Sequence, residues 1–133
     1  MKQETTGTVL CREDGSCLSQ HVRLADDWLG RLRGLLFSPP LRADACLVIL
    51  PCQQVHTHFM RYALDVVFVD REWRVVRVLR ALRPWRISPW VRDAHAVIEF
   101  TAGGAAGVEI GQRLLLRRAG GGGSAVRPPG RDR

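Results

Sequence analysis

The stretch Leu64-Asp-Val-Val-Phe-Val, followed by Asp-Arg-Glu-Trp and then Arg74-Val-Val-Arg-Val-Leu, constrains the fold of this chain more than any other. Two valine-rich runs, each too short for a typical helix, flank a polar four-residue break, which is the pattern of an antiparallel hairpin. A helix competes with that reading, because Arg74, Arg77, Arg80, Arg83 and Arg86 recur every third residue opposite Val75, Val76, Leu79 and Leu82. Pro84 would end such a helix after about two turns, and the β-branched residues favour the strand. In a strand those arginines alternate faces and form no basic stripe. The first run also holds a carboxylate, Asp65, among apolar residues. Burying it costs several kcal/mol unless it is paired or hydrogen-bonded, so Arg61 or a turn of backbone N–H groups is expected to satisfy it. That structural role is favoured over a chemical one.

Immediately upstream, Pro51 to Met60 (PCQQVHTHFM) gathers most of the chemically capable side chains. Read as an extended strand, it places Cys52, Gln54, His56, His58 and Met60 on one face and Val55, Thr57 and Phe59 on the other. Cys52, His56 and His58, with Met60 as an added thioether, form the mixed thiolate and imidazole set that copper or zinc accepts. Spacing weakens the set: His56 and His58 can coordinate together, but Cys52 lies about 13 Å from His56 in a fully extended chain. It joins only if the chain bends. An enzyme would pair His56 or His58 with Asp65 as acid and base, or use Cys52 as nucleophile. No nucleophile elbow, paired-carboxylate spacing or phosphate loop supports a named reaction.

Elsewhere, Thr8 to Leu24 reads as a hairpin with Asp14-Gly15 at its tip, a geometry that allows Cys11 and Cys17 to face each other across it. Trp28, Leu29, Leu32 and Leu35 recur at helical spacing behind the N-cap Asp26, predicting one short helix over about residues 26–34 that ends at Gly34. Pro39-Pro40 forces an extended connection to a strand from Ala45 to Leu50. Leu82 to Trp90, with two prolines and two tryptophans, reads as an ordered irregular loop whose tryptophans lid the core. Ala96 to Phe100 and Val108 to Leu116 read as further strands around a glycine-rich turn that is no phosphate loop. Residues 1–6 are expected to fray, 7–118 to form one domain, and the Gly-rich, Pro/Arg tail of 119–133 to be disordered.

At 133 residues and 46% hydrophobic content the chain supports one packed core and no second. No apolar run approaches the roughly 20 residues of a membrane-spanning helix. The polar N-terminal stretch shows no secretory signal, so a cytoplasmic location is expected. The net charge of +7 is concentrated in the last 17 residues, where five arginines stand against one aspartate, leaving the body mildly basic and nucleic-acid binding disfavoured. Cysteines at 11, 17, 46 and 52 match neither a zinc knuckle nor a C-x-x-C redox motif, so free thiols are the first reading.

Several motifs taken together, LRGLL from Leu32, PC-x-x-VHTHFMRYALDVVFVD, RVVRVL, LRPWRIS and the closing IEFTAGG with GVEIGQRL, resemble the bacterial and archaeal family of domain of unknown function 192 from about Leu24 to Leu116. The resemblance implies a compact, mainly β, sandwich- or barrel-like domain with one helix, and no assigned activity. The positions it matches here are Gly34, Phe59, Met60, Leu64, Asp65, Phe68, Asp70 and Gly103. The function expected is a non-catalytic module without a cofactor that binds a small ligand or a protein partner beside His56, His58, Met60, Arg61 and Asp65. The alternatives are a metal protein using Cys52, His56 and His58, or an enzyme using His56, His58 and Asp65.

Overall fold

A computed structural model describes residues 2–5, 7–25, 41–57, 60–118 and 125–126. The described elements are ten strands: β1 (Lys2–Thr5), β2 (Thr8–Arg12), β3 (Cys17–Ser19), β4 (His21–Ala25), β5 (Ala45–Ile49), β6 (Leu64–Val69), β7 (Val75–Leu82), β8 (Ala96–Thr101), β9 (Leu114–Arg118) and β10 (Ala125–Val126). They build a six-stranded sheet in the order β1-β4-β5-β8-β6-β7 and a four-stranded sheet in the order β10-β9-β2-β3. Only β4 and β5 pair in parallel among the described strands. The fold is mainly β, in two sheets that do not close into a barrel.

Two apolar layers follow from strand alternation in the large sheet. One face of β5, β6 and β8, including Val48, Val67, Ile98 and Phe100, packs onto Leu10 of β2 and Leu114 and Leu116 of β9. Trp73, the largest fully buried side chain, fills the same layer. The opposite face presents Leu47, Leu64, Val66, Phe68 and Val97, which are covered by loop residues Cys52, Val55, Met60, Val91 and Ala94. This second layer is where the sequence placed its chemistry.

The hairpin that constrained the sequence reading is present. Strands β6 and β7 pair with Val66 opposite Leu79 and Val67 opposite Val78. Asp70 makes the turn by accepting the N–H groups of Glu72 and Arg74 on Oδ1 at 2.9 Å each. The N-terminal hairpin also forms, with Cys11 opposite Cys17. Its second strand does not run on to Leu24: the chain breaks at Gln20 and changes sheets, because the N–H groups of Gln20 and His21 turn to the carbonyl of Asp44 at 2.8 and 3.1 Å. The last strand begins at Leu114 rather than Val108, since residues 108–113 form a turn through Gly111 at φ 98°. Lys2–Thr5, read as a frayed end, forms edge strand β1 on β4, and Ala125–Val126 of the tail pairs with β9. The helix over 26–34, with Gly34, lies outside the described residues.

Candidate functional site

Residues 51–57 and 60–63, of which Pro51 to Met60 reads from sequence as an extended strand, are instead zipped to a loop at 83–92. The backbone accounts for much of the zip: Thr57 N–H donates to Arg86 O at 2.8 Å, Ser88 N–H to Val55 O at 2.9 Å and Val91 N–H to Gln53 O at 2.8 Å. Side chains that a sheet would turn outward are spent on carbonyls instead. Gln53 and Gln54 donate their amides to Arg92 O at 2.7 Å and Ser88 O at 3.0 Å. The fully buried Thr57 donates its hydroxyl to Arg83 O at 2.6 Å and accepts Arg86 N–H at 2.9 Å. Met60 N–H then closes a turn on Thr57 O. These bonds outcompete a ladder, and the face assignment fails accordingly.

The proposed ligand row is thereby divided. Cys52 and Met60 are buried in the apolar layer, and the Cys52 thiol donates to Gln54 O at 3.2 Å. His56 is exposed and bridges to Ile87, while Arg61 is exposed beyond Met60. His58 and Phe59 lie outside the described residues. Among the described residues no group of three or more His, Cys, Asp or Glu side chains is placed to hold a metal ion.

Asp65 is 2% exposed and answers its cost with backbone donors. Its Oδ1 accepts the N–H of Ala81 at 2.9 Å, and its Oδ2 accepts those of Gly103 and Ala105 at 3.0 and 3.1 Å. The register between β6 and β7 shifts beside Asp65, and Ala81 takes a left-handed φ of 53° there, so the carboxylate caps a bulge. Gly103, at φ 93°, opens the turn that supplies the other two donors. Arg80 holds the same turn from the other side, donating to the carbonyls of Ala105, at 2.7 Å, and Val108. With both oxygens engaged this way, Asp65 joins β6, β7 and the 102–107 turn, and among the described residues none of its hydrogen bonds goes to the 51–63 loop. Those three bonds go to Ala81, Gly103 and Ala105, not to His56.

A second buried carboxylate escaped the sequence reading. Glu99 lies opposite Leu47 and Val66, both in the loop-covered layer, and is only 3% exposed. Its Oε1 has no hydrogen-bond partner among the described residues, and burial pushes the carboxyl up to about 8, so the side chain is neutral at pH 7. The signal was available: Ala-Val-Ile-Glu-Phe sets one carboxylate in an apolar run, as Leu-Asp-Val-Val does. His95, at the foot of the same strand, is held below its ordinary range by burial and by the Arg71 guanidinium. Burial pushes the Cys46 thiol up to about 12, which leaves it unreactive.

The tryptophans of the 83–92 loop do not lid the core. Trp85, Ile87 and Trp90 are 54%, 62% and 62% exposed, on a backbone that the zip holds in place. The core tryptophan is Trp73, in a hairpin turn where polar neighbours had suggested only a change of direction. No helix among the described residues is long and apolar enough to cross a membrane.

The comparisons agree with this architecture. A model of domain of unknown function 192, described as an uncharacterized ACR, matches residues 9–116. A UPF0127 protein of Pyrococcus furiosus is 37% identical over 104 residues, covering 73% of this chain and 87% of that protein. A second, from Pyrococcus horikoshii, is 38% identical over 87 residues, 62% of this chain and 73% of the other. A Novosphingobium aromaticivorans protein of unknown function superposes with a TM-score of 0.68 at 22% identity, covering 80% of this chain and 81% of its own. A putative transcription regulator of Sinorhizobium meliloti gives 0.69 at 22% identity, covering 86% and 92%. At that identity the two structures speak to the fold alone. The family match over most of the chain, with relatives above 30% identity, establishes that this protein belongs to the DUF192 (UPF0127) family.

Proposed function

We propose that this protein is a non-catalytic binding module that takes an acidic, apolar segment of a protein partner on the platform of Trp85, Ile87 and Trp90. The observation that carries the reading is the exposure of these three side chains within six residues of a loop fixed by backbone bonds and by Thr57 and Ser88. Large apolar side chains held outward on an ordered backbone bind at little entropic cost, and Trp and Arg are the residues that dominate interface energetics. Residues 83–92 carry three arginines and no acid, with Asp93 following, so the complementary partner offers carboxylates around an apolar centre. The satisfied state of Asp65 and the burial of Cys52 and Met60 support a scaffold role over chemistry for the rest of the candidate set. Four free cysteines fit the reducing cytoplasm.

The test is selection from a random peptide display library on immobilised full-length protein, with a W85S/W90S variant as counter-target. Enriched peptides should combine Asp or Glu with aromatic or aliphatic residues and lose at least about tenfold in affinity for the variant, roughly 1.4 kcal/mol. Equal enrichment on both proteins refutes the reading. So does an oligothymidylate that binds more tightly than any selected peptide, which would place a single-stranded nucleic acid on the tryptophans instead.

A further inference from the structure

We propose that Cys11 and Cys17 are a redox pair that closes to an intramolecular disulfide by exchange with a low-molecular-weight disulfide. The two residues are register partners across β2 and β3, and their sulfurs stand 3.0 Å apart as free thiols. Bonding at about 2.05 Å therefore asks the side chains to close by about 1 Å, with no change of strand pairing.

The hairpin that holds them is built around the pair. Arg12 N–H donates to Ser16 O at 2.9 Å and Gly15 N–H to Arg12 O at 3.0 Å. Asp14 Oδ1 accepts both the N–H and the hydroxyl of Ser16, at 2.8 and 2.7 Å. Gly15 supplies the positive φ of 93° that the tip requires. The guanidinium of Arg12 adds bonds to Ser16 Oγ at 3.0 Å and, across the molecule, to Ala106 O at 3.1 Å. The cysteines thus face each other before any oxidant arrives, and closing a loop this short orders little that is not already ordered.

The two thiols differ in a way that assigns their roles. Cys17 is exposed on β3, an edge of the four-stranded sheet, whereas Cys11 is buried beside it. Burial and the hydrogen bond to Cys17 push the Cys11 thiol up to about 11, so it is the poorer first nucleophile. The Cys17 thiolate attacks one sulfur of the small disulfide, forming a mixed disulfide and releasing one thiolate. Cys11 then gives up its proton to solvent, its sulfur attacks Cys17 Sγ, and the second thiolate leaves. The protein loses two thiol protons and two electrons, and the small disulfide takes up both to become two thiols. The remaining cysteines are spectators, Cys46 being wholly buried and Cys52 nearly so.

Incubation of the native full-length protein with oxidised glutathione, followed by intact mass measurement and tryptic mapping, tests this. Trypsin cuts after Arg12, between the cysteines, so the disulfide joins two peptides that otherwise separate. The expected result is a mass lower by two hydrogens, a linked pair carrying Cys11 and Cys17, and full reversal by dithiothreitol. The C17S variant should form no linked pair and leave Cys11 unmodified. A persistent glutathionyl group on Cys17 without linkage, an unmodified pair, or linkage between two chains overturns the proposal.

Discussion

The buried carboxyl of Glu99 makes stability depend on pH in a direction opposite to that of ordinary surface carboxylates. Burial raises it from its ordinary 4.5 to about 8, and the group is fully enclosed between Leu47 and Val66 on neighbouring strands. Between those values the folded protein holds a proton that the unfolded chain has released. Stability from that held proton is complete below about pH 4.5 and is withdrawn as pH rises through 8. At about 1.4 kcal/mol per pH unit, crossing the whole window removes roughly 5 kcal/mol, and about 3 kcal/mol of it is gone by pH 7. Glu99→Gln keeps the shape and cannot ionise, so the difference between variant and wild type isolates this one group. Urea unfolding followed by tryptophan fluorescence should show the variant gaining on the wild type by about 1 kcal/mol or more for each unit of pH from 5 to 7.5, with the gain flattening above pH 8. His95, whose lowered value makes stability rise with pH in the acid part of this range, is present in both proteins and cancels. Parallel curves would refute the argument, because they would mean that Glu99 ionises in the folded protein as easily as in water.

Removing the Asp65 carboxylate with D65A leaves three backbone N–H groups without their acceptor and should cost on the order of 3 kcal/mol or more in urea. D65N, which keeps one acceptor and turns an NH2 group toward donors, should cost about 2 kcal/mol. Gly104→Ala brings a methyl group to 2.7 Å from Phe100 Cβ and 3.0 Å from Thr101 O, and a loss of about 1–3 kcal/mol is expected from thermal unfolding. Thr57→Val removes the bonds to Arg83 O and Arg86 N–H for about 1–2 kcal/mol, and it should weaken peptide binding at the platform as well. The exposed pair behaves differently: W85S/W90S should leave unfolding free energy within about 0.5 kcal/mol of wild type while abolishing peptide capture.

What could be read from the sequence was whatever depended on neighbours along the chain. The β6–β7 hairpin was legible because two β-branched runs flank a polar turn, and its Asp65 because a carboxylate among valines must find donors, here the backbone N–H groups that were anticipated beside Arg61. The facing of Cys11 and Cys17 followed from the Asp14-Gly15 tip. Alternation misleads at Gln53 to Thr57, since these residues pair with the 83–92 loop, and those bonds decide which side chains turn inward. The switch of sheets at Gln20 depends on the carbonyl of Asp44, which no local pattern announces. The hydrophobic area of the loop tryptophans favours a lid over the core, but the large sheet is already covered by Val55, Met60 and Val91.

The partnership of β2 with β9 sets a timetable. Thr8 pairs with Arg118 and Arg12 with Leu114, so β2 finds its inner neighbour only after β3 to β8 have been made. Until then the β2–β3 hairpin has one open side and Leu10 has no opposing Leu114 or Leu116. The described strands of the six-stranded sheet are all made by residue 101, so that sheet can assemble before β9 arrives to complete the four-stranded one over it.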